Sequence, residues 1–348
     1  MLKSRQLDVL RLVVQTFTST DQPVGSATLQ KLGIKASSAT IRNDLAKLEE
    51  EGFLEKTHIS SGRVPSLKGY RYYVDHLLSL EPLASKEREG IHQMMNDGFY
   101  VMNDLVAHSA KVLSQMTHYA SFVSELDCDE RQLTAFQLVR LNERQLLAVI
   151  VTNHGHVEHH IYPMIDGLTE DLIVMIDQFV NENLLGSTLR QIRQRLRTEF
   201  PMTLQRLFSQ PSVVLELLNM IFDQAFTEKF YMSGAMNLLT SQYRDDVERF
   251  KQVYEFISDS SKISSVIAPT QAQLDVRIGD ELNNQLLQDM TLITTPYQVP
   301  GHGHGTIALL GPANMDYEDT IRLVSGFKSE LEAQVSDYYK MLNYSRIQ

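Results

Sequence analysis

The chain has a single cysteine, Cys128, among 348 residues, and its longest plain apolar run is only Leu146 to Val151. One cysteine excludes an internal disulfide and fits a reducing, cytoplasmic setting. The apolar run falls far short of the ~20 residues that a membrane-spanning helix needs, so no membrane partner is expected. The first residues, MLKSRQLDVLRLV, mix charges among apolar side chains and do not read as a signal peptide. No segment is biased enough in composition to be expected disordered. With 43% hydrophobic residues, the length accommodates two or three packed domains. Also missing are a P-loop, a Gly-x-Ser-x-Gly elbow and a cysteine nucleophile with a placed partner. Nothing therefore points to an enzyme, and no cofactor is expected.

Positive charge is in short supply overall, with a net charge of −11, but its distribution is uneven. Residues 1–80 carry 11 Lys+Arg against 8 Asp+Glu, a net of +3. The other 268 residues carry 21 against 35, a net of −14. A mildly basic head on an acidic body suggests that only the head meets phosphate.

What is present centres on Ser37 to Pro65. A helix is predicted from Ser37 or Ser38, whose hydroxyl can cap it, to Gly52, which can take the left-handed conformation that ends it. Ile41, Leu45 and Leu48 share one stripe of that helix. Ala39, Thr40, Asn43 and Lys47 point the other way, with Arg42 on the flank. After Gly52 come a strand-like Phe53 to His58, a tight Ser60-Ser61-Gly62, then Arg63-Val64 and a stop at Pro65. Upstream, Leu7, Leu10, Val14 and Phe17 mark a first helix. Pro23-Val24-Gly25-Ser26 restarts the chain into a short second helix that ends at Gly33. Helix, short helix, turn, capped helix and wing are the parts of a winged helix-turn-helix.

On this reading Ser38, Thr40, Arg42 and Asn43 are placed for base edges. Arg suits guanine and Asn suits adenine because each can make two hydrogen bonds in the major groove. Lys47, Lys56 and Arg63 are expected on phosphate or, for Arg63 at the wing tip, in a minor groove. Ser37 and His58 complete the candidate set. Each of these residues taken alone also reads as solvated surface.

The same stretches resemble a family. PVGSATLQKLG, SSATIRNDLAKLEEEGFLEK and HISSGRVPSLKGYRYYVDHLL together resemble the HrcA heat-inducible transcription repressors of bacteria, and HGTIALLGPANMDYEDTIRLV resembles that family's closing segment. Where the family usually has Thr-Arg before Met-Asp-Tyr, this chain has Ala313-Asn314. The resemblance implies a homodimer that binds the CIRCE inverted repeat of double-stranded DNA upstream of the GroEL and DnaK operons. It further implies release by heat and dependence on the GroEL chaperonin for activity.

Beyond the head at residues 1–80, Glu81 to Gly90 reads as a linker. Ile91 to Gln115 reads as one long helix, and Leu133–Leu141, Gln145–Val151 and Val157–Tyr162 read as strands. A helical block follows over 164–229. Strand signals return at Val266–Ile278, Thr291–Val299 and Thr306–Leu310, before a closing helix over Asp316–Leu342. The expected class is thus α+β and multidomain. The residues alone show a mixed body interrupted by helices. The resemblance makes it a GAF-like domain over 91–163 and 230–348 with a helical dimerisation insert at 164–229.

Two further patterns carry alternatives. His154, His156, Glu158 and His160 alternate as a metal set would, but Gly155 at a bend favours a polar hairpin. Gly301 to Gly305 looks like a phosphate loop but precedes a strand and not a helix, so it reads as a plain loop. A rival function keeps the winged head and places a small-molecule ligand in the body as the switch of DNA affinity.

Overall fold

The structure, a computed structural model, describes residues 2–56, 62–79, 81–96, 98, 101–126, 131–153, 157–225, 230–241, 246–267 and 272–345. Two compact units are formed. The first is 1–124 with 230–300 and 305–348, and the second is 125–229 with 301–304.

The first unit begins with the head: α1 (Ser4–Thr20), α2 (Ser26–Lys31), α3 (Ser38–Glu50), strands β1 (Leu54–Lys56) and β2 (Arg63–Pro65), and α4 (Leu67–His76). Each boundary has a local cause. Gln6 Oε1 accepts from the Lys3 N–H and closes the start of α1. The Ser37 hydroxyl accepts from the Thr40 N–H at 3.2 Å and caps α3. Gly52, at φ +77, ends α3 in the conformation that disfavours other residues. Val9, Leu10, Val13, Ile41, Leu45 and Leu48 are buried together in the head, removing apolar surface from water. The first-helix stripe is thus turned slightly from the expected one, since Leu7 and Phe17 are only half-buried.

The body of the first unit adds α5 (Ser85–Met95), α6 (Met102–Thr117) and β3 (Ala120–Ser124) before the chain leaves for the second unit. The second unit holds β4 (Leu133–Asn142), β5 (Gln145–Thr152), β6 (Val157–Pro163), α7 (Glu170–Leu184), α8 (Leu189–Thr198), α9 (Phe200–Leu207) and α10 (Pro211–Ala225). On return the body is completed by β7 (Phe230–Ser233), α11 (Met236–Ser241), α12 (Val247–Ser258), α13 (Ser260–Ile267), β8 (Asp275–Ile278), β9 (Met290–Val299), β10 (Gly303–Pro312) and α14 (Tyr317–Ser345).

The body sheet runs β7-β3-β10-β9-β8, with α6 and α14 packed on it and α12 and α13 contributing to its core. It is the sheet-rich, GAF-like domain expected. β3 and β7 are antiparallel neighbours with Ser124 opposite Phe230. The chain therefore leaves and re-enters the body at one place, which lets a whole unit be inserted there.

Several boundaries differ from expectation. The insert is not helical alone. Strands β4, β5 and β6 form their own antiparallel sheet and share a core with α7–α10, so the interruption starts near 125 and not at 164. Asp177 and Asn181 of α7 accept hydrogen bonds from the backbone N–H groups of Leu138 and Phe136, which ties the outer strand β4 to its helix. The linker ends early, because Glu87 accepts from the Ala84 N–H and starts α5 at Ser85, while Leu83 is buried. The single long helix is two, broken between Met95 and Met102, where Gly98 stands at φ +66. Val266 and Ile267 belong to α13, leaving only Asp275–Ile278 as strand. The Gly301 tract is a turn only as far as His302, after which β10 begins.

Candidate nucleic-acid interface

The candidate surface is the outer face of α3 with the wing beside it. Ile41, Asp44, Leu45 and Leu48 are buried, so Ala39, Arg42, Asn43, Ala46 and Lys47 are left exposed. Arg42 and Asn43 make no side-chain hydrogen bond or ion pair with the described residues. Both face outward from the helix. Lys56, exposed at the end of β1, is equally unengaged by described residues.

The two serines and the threonine are less available. The Ser37 and Thr40 hydroxyls lie 2.8 Å apart, and the Ser38 hydroxyl lies 2.9 Å from that of Ser26. Ser37 supplies the cap and Ser38 joins α3 to α2, so both first hold the helix in place. Lys47 is drawn toward Glu50 at 3.0 Å and Glu51 at 3.6 Å. The hydrogen bond and charge of Glu50, supplemented by Glu51, hold its ammonium above the usual range. It stays cationic while its field is partly cancelled.

Arg63 is not at the wing tip. It opens β2 opposite Lys56, and its guanidinium lies against Glu49 at 2.6 Å with only 14% of the side chain exposed. His58 lies outside the described residues, as do His154, His156 and Cys128. Glu158 and His160 stand 3.6 Å apart on β6. Among the described residues no three His, Cys, Asp or Glu side chains group closely enough to hold a metal ion.

Charge is graded along α3. Its C-terminal end carries Glu49, Glu50 and Glu51, whereas Lys31 and the exposed Lys35 precede its N-terminus. Phosphate is therefore favoured at the start of the helix and repelled at its end, the polarity with which a recognition helix enters a major groove. Lys35 was not among the sequence candidates, although a lysine just ahead of a helix N-terminus was a usable signal.

Sequence reasoning also missed the clamp behind the helix. Arg5 meets both carboxylate oxygens of Asp44, at 2.6 and 3.3 Å. Asp44 raises the Arg5 guanidinium further above its ordinary range by hydrogen bond and charge. Asp44 falls on the same stripe as Ile41 and Leu45, and a carboxylate there requires a partner. Arg5, 39 positions away, could not be named from local spacing.

Comparison with known proteins agrees with this architecture. Residues 27–64 match the DeoR-like helix-turn-helix domain, and residues 103–321 match the HrcA protein C terminal domain. A heat-inducible transcription repressor HrcA of Enterococcus faecalis is 44% identical over 98% of this chain and 99% of its own length. That of Tetragenococcus halophilus is 41% identical, covering 99% of each. A crystal structure described only as a hypothetical protein is 20% identical, with a TM-score of 0.58 over 97% of this chain and 100% of its own, and shares the fold. No helix among the described residues is long and apolar enough to cross a membrane. By the extent of these matches, the chain belongs to the HrcA family of heat-inducible transcription repressors.

Proposed function

We propose that the chain acts in the cytoplasm as a homodimer that represses chaperone operons by binding the CIRCE inverted repeat. In this reading heat relieves repression, and the GroEL chaperonin maintains the active repressor. It has no catalytic role. The observation that carries it is the outward pair Arg42 and Asn43, unengaged by the described residues, on a helix that is capped by Ser37 and clamped from behind by Arg5 and Asp44. Rigid support with free bidentate side chains is what direct base readout requires.

An inverted repeat calls for a two-fold dimer, in which each protomer offers the same helix to one half-site. The insert has a surface suited to that role. On the outer face of its sheet Leu147 pairs with Ile161 and Val151 with Val157, and Val157 and Ile161 are 56% and 57% exposed. An apolar sheet face of this kind favours a second copy of itself.

The test is an anisotropy titration of the purified protein on a duplex carrying the repeat and on a scrambled one, repeated after a brief heat step and with GroEL. Repeat-specific binding that heat abolishes and GroEL restores supports the reading. Specific binding indifferent to both moves control to a ligand. Equal binding to both duplexes removes the operator assignment.

A further inference from the structure

Arg63 is held from several directions at the root of the wing. Its backbone N–H donates to the Val24 carbonyl and its own carbonyl accepts from the Val24 N–H, each at 2.9 Å. Across the hairpin it pairs with Lys56. Its Nε and Nη2 both meet Oε2 of Glu49, at 2.7 and 2.6 Å. The neighbouring Gly62 lies so near Pro23 that a Cβ would stand 2.7 Å from the proline Cβ. The chain entering β2 is thus joined to the segment before α2 by backbone bonds, and to α3 by a two-pronged ion pair. Glu49 is near the end of α3, a full turn or more beyond Arg42 and Asn43.

We propose that the Glu49–Arg63 pair is a positioning device that fixes the wing against the recognition helix. Arg63 then governs operator affinity by placing the wing and not by touching DNA. The inference rests on the reading of α3 as the DNA-reading helix. Electrostatics separates a positioning arginine from a phosphate contact by sign. Loss of an arginine bound to phosphate flattens the salt dependence of log K by about 0.9. Removal of the carboxylate competing for that arginine would then tighten binding. For a positioning arginine the salt slope stays the same, and loss of Glu49 weakens binding although a negative charge has been taken away from the DNA-binding head.

The experiment titrates the full-length protein and its Arg63→Met, Arg63→Lys and Glu49→Ala variants against the inverted-repeat and scrambled duplexes over a series of salt concentrations. Circular dichroism serves as the folding control. We expect Arg63→Met and Glu49→Ala each to bind the repeat about fivefold more weakly, as for loss of one partly exposed ion pair. Their salt slopes should match that of the unaltered protein. Arg63→Lys should lie between, because an ammonium cannot reproduce the two-pronged contact. A slope reduced by about 0.9 in Arg63→Met, or binding by Glu49→Ala as tight as or tighter than that of the unaltered protein, would overturn the inference. Should Arg63→Met fail to fold, Glu49→Ala gives the sign by itself, since it retains the arginine. Absence of any preference for the repeat in the unaltered protein would instead remove the underlying DNA reading, a result distinct from either.

Discussion

At the scale of single residues, freedom and restraint sort the charged side chains of the head. Arg42 and Asn43 are exposed and unengaged by the described residues, while Arg5 and Arg63 are bound to Asp44 and Glu49. The sequence pattern showed which side of α3 faces outward, because helical spacing alone determines that. It could not show that Arg63 turns inward, since its carboxylate partner comes from another element. Two substitutions probe the packing behind this surface. A Cβ on Gly69 would lie 2.1 Å from the Phe53 carbonyl oxygen, so Gly69→Ala should destabilise the protein by about 1–3 kcal/mol in a urea titration. The Tyr70 hydroxyl is buried with no hydrogen-bond partner among the described residues, and burial pushes its ionisation far above the ordinary range. Tyr70→Phe should therefore be neutral or raise stability by up to about 1 kcal/mol. A clear loss would show that the hydroxyl is satisfied.

At the scale of elements, those with a strong period or a capped end were legible and those covered on both faces were not. Helix α3 and strands β4, β5 and β6 stand nearly where apolar spacing puts them. β3 gave no signal because all five of its residues are buried. Ala120 and Phe122 join the core that includes α12 and α13, while Ser121 on the opposite face donates to the Ala110 carbonyl of α6. Val123, on the same face as Ser121, breaks the apolar–polar alternation, and burial of both faces leaves no solvent side for a pattern to mark. The start of α5 offers a pH test. Glu87 accepts from the Ala84 N–H at 3.0 Å and from Arg322 of α14 at 2.8 Å, and these contacts hold its carboxyl below the usual range. A depressed carboxyl contributes stability above its unfolded pKa, and that contribution is lost as pH falls through the folded value. Glu87→Gln should thus lower the urea midpoint at neutral pH, and the difference from the unaltered protein should vanish under acid conditions. A difference that persists in acid would show that the carboxylate charge is not responsible.

At the scale of the whole molecule, the insert explains how a DNA-binding head and a GAF-like body coexist with a separate unit. Ser124 and Phe230 face each other across paired strands, so replacing 125–229 with a short Asn-Gly turn should leave the body folded. If the apolar face of the insert sheet joins two protomers, that variant should be monomeric by light scattering. Retained dimers would place the interface elsewhere. Composition hinted at this division through the basic head and acidic remainder, but the insert's true start was hidden because its strands resemble those of the body. In the proposed function the outer face of α3 reads an operator. The most direct test is the ratio of affinities for the inverted-repeat and scrambled duplexes, measured for the unaltered protein and for Arg42→Ala. A strong preference is expected in the former, and a loss of discrimination of about 1–3 kcal/mol per half-site in the latter. Equal weakening on both duplexes would contradict it, because Arg42 would then hold phosphate without reading sequence.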